Sequence, residues 1–283
     1  MWRASSLLLV LTTTIGSLHA QAVEGLMVEV YHVNPADKDR GPGTPPLPAG
    51  AVTYRIFLDL AEGHQLQAVY GDRNHPLHLG TTGRFYNDRF YGRETGDDVP
   101  VDHVREHIVA LDSWITVAFA TEDHLAVPKR NDPDGSLFPD LRSATNSARA
   151  GDLEGADICT SVSDGLVPTD SVIEVVQFGM DLLPMAFNAD DRNILVNDTL
   201  LHTTNGGWAV LGGANGASPG NLVLIAQVTT DGELYYAFNV QVEAPDGSTA
   251  RWVWNEPGPQ EILGHMLRSE HLPFPAPLDH ERP

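Results

Sequence analysis

The most regular feature of the chain is an alternation of apolar and polar side chains with period two, which puts successive residues on opposite faces of a sheet. In AVTYRIFLDL, residues 51–60, Val52, Tyr54, Ile56 and Leu58 fall on one face, and Thr53, Arg55 and Asp59 fall on the other. That is the pattern of a half-buried strand. Comparable runs occur at 26–33 (LMVEVYHV), 65–70 (QLQAVY), 113–119 (SWITVAF), 171–178 (SVIEVVQF) and 250–254 (ARWVW).

Two longer runs, NLVLIAQVTT and ELYYAFNVQV, are separated only by Asp231-Gly232. Asp-Gly supplies the positive φ values of a type I′ turn, so the spacing predicts an antiparallel hairpin. Pro245-Asp246-Gly247-Ser248 then extends 221–254 into a three-stranded meander ending on Trp252 and Trp254. Helical spacing is confined to 102–111, where Val104, Ile108 and Leu111 are apolar, and to a short C-terminal stretch from Pro259 to Glu270. Parallel α/β architecture needs a crossover helix between most strands, and those helices are missing. The expected class is therefore all-β: an antiparallel β-sandwich with long loops and one or two short helices.

Two segments interrupt the strand pattern. Residues 34–50 are too rich in Pro and Gly for regular structure, and 121–170 is a polar stretch containing NDPDG, SATNSARAG and TSVSDG. Structureless connections of the second length are uncommon inside a compact domain. The organisation predicted is a signal peptide at 1–22, a first β-rich half at 23–120, a long loop or linker at 121–170, a second β-rich half at 171–258 and a C-terminal tail at 259–283. One sandwich with an insertion is the preferred arrangement, and two lobes are the alternative.

The strings VTYRIFLDL, QAVYGDRNHPLHLGTTGRFYND and LDSWITVAF, with NGGWAVLGGANG and NLVLIAQVTTDGELYYAFNVQV further on, together resemble a β-rich module of uncharacterised secreted proteins of marine bacteria. The elements that carry the resemblance are Asp112-Ser113-Trp114 before one core strand, Thr229 to Gly232, and Asn239-Val240-Gln241. It spans about half of the chain beyond the signal peptide. It implies a secreted strand-rich domain, and it brings no activity, ligand or catalytic residue with it. The ending HLPFPAPLDHERP has no apolar tail or basic cluster, so anchoring through the C-terminus, frequent in such proteins, is not expected here.

The N-terminus carries one positive charge at Arg3, an apolar stretch from Leu7 to Ile15 and the small-residue triplet Ala20-Gln21-Ala22. These are the three parts of a secretory signal, with cleavage expected after Ala22. The apolar stretch is far shorter than the roughly 20 residues that span a bilayer, and no later run approaches that length, so no transmembrane segment is expected. The chain has 17 Lys and Arg against 38 Asp and Glu, a formal charge of −21. Nucleic acid is excluded as a partner, because phosphate backbones are held by clustered Lys and Arg. The one basic pair, Lys129-Arg130, sits in a loop rich in Asp. An acidic balance of this size suits solubility in salt, divalent cations or a cationic ligand. Cys159 is the sole cysteine, so no intramolecular disulfide forms, and the thiol reads as a small buried apolar side chain.

The sharpest chemical motif is His103-Val104-Arg105-Glu106-His107, which fits H-x-x-E-H. On a helix His103 and His107 share a face that can ligate Zn²⁺, and Glu106 becomes a general base. Chance pairs are common among 12 histidines, and the motif stands in a strand-rich chain. His75 and His78, with His64 and Asp72 near them in sequence, are a second transition-metal candidate, or plain loop histidines beside a proline turn. Calcium candidates are Asp132 and Asp134 in NDPDG, Asp190 and Asp191 between Asn188 and Asn193, and Asp97-Asp98. Each also reads as an ordinary turn. No G-x-S-x-G elbow exists, and Ser113, after Asp112, lies at a strand start. Trp252 and Trp254 share a strand face and are the candidate platform for a glycan, or else core residues.

The function expected from these features is a secreted, non-enzymatic binding, adhesion or extracellular-matrix protein, stiffened by Ca²⁺, with an extracellular glycan or another protein as partner. The alternatives are a zinc hydrolase using His103, Glu106 and His107, and a carbohydrate-binding module using Trp252 and Trp254.

Overall fold

A computed structural model describes residues 22–34, 47–88, 90–104, 109–129, 165–171, 173–180, 186–187, 199–217 and 220–272. In chain order the strands are β1 (Val23–Val33), β2 (Val52–Leu60), β3 (Gln65–Gly71), β4 (Leu77–Thr81), β5 (Trp114–Ile115), β6 (Phe119–Thr121), β7 (His124–Ala126), β8 (Leu166–Pro168) and β9 (Val175–Phe178). They continue as β10 (Leu200–Thr203), β11 (Gly206–Ala214), β12 (Leu222–Thr230), β13 (Leu234–Ala237), β14 (Asn239–Glu243), β15 (Thr249–Val253), β16 (Glu261–Leu263) and β17 (Arg268–Leu272). The protein is all-β, as the period-two pattern predicts, and among the described residues its strand pairings are antiparallel except for β15 with β16. No helix among the described residues is long and apolar enough to cross a membrane.

The described residues form four sheets: β1-β2-β12-β5, β10-β4-β13-β17, β16-β15-β14-β3-β11-β9 and β6-β7-β8. Each of the three larger sheets mixes strands from before residue 121 with strands from after residue 170. β7 and β8 form within the stretch expected to be a loop, at its two ends, while 130–164 lie outside the described residues.

The sheet built on β2 is covered on both sides. Val52, Tyr54, Ile56 and Leu58 enter one apolar cluster with Val223 and Val228 of β12, and Phe57 enters a second with Tyr31, Trp114 and Leu224. This corrects the half-buried reading of β2. Its polar face is interior as well, with Thr53 at 1% and Arg55 at 3% exposure. Burying those groups is tolerable only with hydrogen bonds, and they have them. Thr53 and Thr229 share a hydroxyl contact of 2.6 Å. Arg55 Nε donates to Gln227 Oε1 at 2.9 Å and Nη1 to the Gly165 carbonyl at 3.1 Å, with the guanidinium carbon 3.6 Å from the centre of the Tyr31 ring.

Three further expectations are corrected. β12 and β13 do not pair: β12 joins β2 and β5, and β13 joins β4 and β17. Both edges of β12 are occupied along its length, one by β2. The other accommodates Trp114 and Ile115, hydrogen bonds from Thr116 N to Ile225 O and Ala118 N to Leu224 O, and a bridge between Phe85 and Thr230. Neither Asp231 nor Gly232 adopts positive φ, so the type I′ turn is not formed. The second turn of the meander does form, with Gly247 at φ 81° and β14 against β15. The C-terminal stretch expected to be helical gives β16, a 3-10 turn at His265–Leu267 and β17. At 102–111 the described ends are 3-10 turns, Val101–His103 and Val109–Leu111, and 105–108 lie outside the described residues.

Candidate functional site

One run of sequence changes sheet at Phe238, between β13 and β14, where Phe238 N donates to Leu267 O at 2.9 Å. That corner gathers the chemically richest side chains among the described residues. Asn239 ties it together by donating from Nδ2 to the carbonyls of Tyr70 at 2.9 Å and His75 at 2.8 Å. Trp254, just past β15, donates from its indole Nε1 to the Pro76 carbonyl at 3.1 Å. The guanidinium of Arg268, the first residue of β17, lies over the same indole at 4.6 Å, within cation–π range. On another side His78 of β4 is 6.2 Å from Trp254 and stacks on His202 of β10 at 5.6 Å and 10°. Burial, then the neighbouring His202 and Arg268, lower the pKa of His78.

Trp254 and Arg268 line an open groove of about 410 Å³ together with Asn255, Glu256, Leu263, His265 and Glu270. Arg268 also pairs with Glu270 at 2.8 Å. Glu256 sits at φ 39°, a left-handed conformation that side chains other than Gly rarely adopt. Its carbonyl lies 3.2 Å from His75 Nε2.

Behind the groove Asp72, His75 and Glu261 each bring one potential ligand atom within 4.8 Å of the others. Asp72 caps its own turn, its Oδ1 accepting from the N–H groups of Asn74 and His75 at 2.8 Å each. Glu261 Oε2 accepts from Gly258 N at 2.7 Å. His75 is 3% exposed, and its Nδ1 has no hydrogen-bond partner.

His75 and Asp72 therefore come together, and His78 joins the aromatic ladder instead. His64 is bound to its own turn, with Nδ1 3.3 Å from Glu62 O. His103 packs its ring against Tyr91 at 4.6 Å. Glu106 and His107 lie outside the described residues, as do Cys159, Asp132, Asp134, Asp190 and Asp191. Trp252 and Trp254 do not form a shared platform. Trp252 is 4% exposed and belongs to the core, whereas Trp254 borders the groove. Asp97 ties its turn to β9, its Oδ2 accepting from Val175 N at 2.9 Å, and Asp98 Oδ2 accepts within the turn from Thr95 Oγ1 at 3.1 Å. Burial is the first cause of a raised pKa at both Glu94 and Asp97. Ser113 is interior, donating to Tyr86 O and accepting from Thr229 N, both at 2.9 Å.

Glu261, Glu256, Arg268 and His202 were not legible as site residues. All four stand far from His75 in sequence, Glu256 carries no motif although it follows Trp254 by two residues, and 259–270 carries apolar spacing that resembles a helix. Compared with protein families, curated proteins and solved structures, the chain matches none, so its functional reading rests on the chemistry of these side chains.

Proposed function

We propose that the protein is exported and acts outside the cytoplasm as a non-enzymatic binding or matrix component that holds a polar ligand, an extracellular glycan, in the groove beside Trp254. One observation carries this reading: an open groove of about 410 Å³ where an indole, a guanidinium, two carboxylates and an imidazole line the same space. That size lies within the range of small-molecule sites, and a few polar groups around an aromatic surface are what orient a bound ligand. Sugars match such a lining, because their hydroxyls pair with carboxylates and amides while their ring faces contact indole. The most heavily functionalised interior groups, Arg55, Asp112 and Ser113, are committed to hydrogen bonds within the fold. Secretion is supported by the Arg3, Leu7–Ile15 and Ala20-Gln21-Ala22 pattern.

Glycan-array binding by wild-type protein, lost in Trp254→Ala and weakened in Arg268→Ala, is the expected result. Silence of the wild type across the array overturns the glycan and leaves a protein partner. N-terminal sequencing of exported protein should begin at Val23. Calcium in the carboxylate loops belongs to the same proposal. After chelation, a melting temperature restored by Ca²⁺ supports it, and one that chelation leaves unchanged removes it.

A further inference from the structure

We infer that Asp72, His75 and Glu261 form a binding site for one divalent transition-metal ion of the zinc class, which pins the edge of the six-stranded sheet beneath the groove. The inference is independent of the groove's ligand, since it concerns the wall behind it.

The protonation logic of His75 leads to the site. A backbone carbonyl only accepts, so the 3.2 Å contact between Nε2 and Glu256 O places the proton of a neutral imidazole on Nε2. A lone pair is left on Nδ1. That nitrogen is buried without a hydrogen-bond partner, and it stands 3.4 Å from Asp72 Oδ1, an oxygen already accepting two N–H bonds. In that neutral form two lone-pair-bearing atoms face each other, an arrangement that a cation shared between them would satisfy. Metal-bound histidines are held in this way, with the second ring nitrogen donating to a carbonyl or carboxylate that fixes tautomer and ring orientation.

Glu261 supplies the second carboxylate. One of its oxygens lies within 4.8 Å of the ligand atoms of Asp72 and His75; Oε2 is held by Gly258 N and approaches the ring from the Nε2 side at 3.9 Å, so a shared ion draws this carboxylate toward Nδ1. One imidazole nitrogen and two carboxylates suit Zn²⁺ and its neighbours in the first transition row, whereas Ca²⁺ takes an all-oxygen shell. Three protein donors leave coordination positions for water.

The placement gives the ion a mechanical role. Asp72 and His75 lie between β3 and β4, whereas Glu261 opens β16, a three-residue strand that pairs, among the described residues, with β15 alone. A shared ion ties that strand, and with it Glu256 and Leu263 of the groove wall, to the inner part of the molecule.

The test uses the full chain, purified without an affinity tag, stripped with chelator and titrated with ZnCl₂ alone. Expected are one equivalent of Zn²⁺ bound, a raised melting temperature, and no competition from excess Ca²⁺ or Mg²⁺. Glu261→Gln and Asp72→Asn should each weaken binding by at least about tenfold, while His78→Ala leaves it unchanged. The absence of stoichiometric binding overturns the site. So does Zn²⁺ binding that survives both carboxylate variants, which would place the ion elsewhere among the histidines. Should one variant fail to fold, the other decides, because Asp72 lies on the connection between β3 and β4 and Glu261 on β16.

Discussion

Gly83 and Gly232 pack backbone against backbone: a Cβ on Gly232 would sit 2.0 Å from the Gly83 nitrogen, and one on Gly83 would sit 2.6 Å from the Gly232 nitrogen. Two chain corners, 81–86 and 229–233, therefore run side by side. Thr82 N donates to Glu233 O at 3.0 Å, and Glu233 N returns a bond to Thr82 Oγ1 at 2.9 Å. Asp231-Gly232 is a corner between two sheets, fastened by a second corner.

Either Gly83→Ala or Gly232→Ala should destabilise the fold by about 1–3 kcal/mol, the range for forcing extra atoms into filled space. Thermal unfolding reads this directly. An unaltered melting temperature in both variants would contradict the close approach.

Asp231→Asn separates the observed corner from a hairpin turn. In a type I′ turn Asn-Gly is a favoured pair, so the change would be neutral or stabilising. Here Asp231 accepts from Arg84 N at 2.9 Å through Oδ1 and from the Tyr86 hydroxyl at 2.8 Å through Oδ2, and an amide cannot accept both. A loss of about 1 kcal/mol is expected, measured by urea unfolding. Tyr86→Phe should produce a similar loss that does not add fully to the first.

Arg55 and Gln227 form a coupled pair in the interior. Gln227 Oε1 accepts from Arg55 Nε, while its Nε2 donates to the carbonyls of Asp112 at 2.8 Å and Ala110 at 3.2 Å. Gln227→Ala takes one acceptor from a buried charge, which keeps the Gly165 carbonyl and the Tyr31 ring, and removes the donor to two buried carbonyls, so it should lower stability by about 2 kcal/mol. Replacing both partners, as Arg55→Met with Gln227→Leu, should be less damaging than the sum of the single changes. A strictly additive double-mutant cycle would refute the coupling.

Asp112 sets a pH dependence. It is wholly buried and accepts from Asp88 N at 2.7 Å and Arg93 N at 2.8 Å. Burial raises its pKa well above the ordinary 3.8, with those backbone N–H groups opposing the rise. A folded-state value above the unfolded one means that folding takes up a proton. The favourable contribution is complete below the ordinary carboxylate pKa, falls as pH climbs toward the raised folded value, and is gone above it. Asp112→Asn sacrifices a hydrogen bond at every pH but removes this slope. The stability gap between wild type and variant should therefore narrow from pH 4 toward neutrality in urea melts. A constant gap would contradict the raised value.

The sequence by itself determined what is local. Period two in AVTYRIFLDL, the Gly247 turn and the shortage of helical spacing follow from backbone geometry within a few residues, and together they settled an all-β fold. It could not determine which strand edges meet. Asp231-Gly232 has the composition of a hairpin turn, yet both edges of β12 are occupied by β2 and by residues 85–118, so β13 pairs elsewhere. Nor could spacing reveal that the polar face of β2 is interior, because Arg55 and Thr53 look solvent-facing until Gln227, Thr229 and Gly165 supply their partners. The site divides along the same line. Trp254 and His75 were visible as residue types, but Glu261 and Arg268 joined them only through the pairing of β16 and β17, and Glu256, two residues past Trp254, met His75 only in the folded chain. Trp252, two residues from Trp254, passed to the core. Alternation fixes the side of a strand a residue occupies; only the packing of sheets decides what, if anything, covers that side.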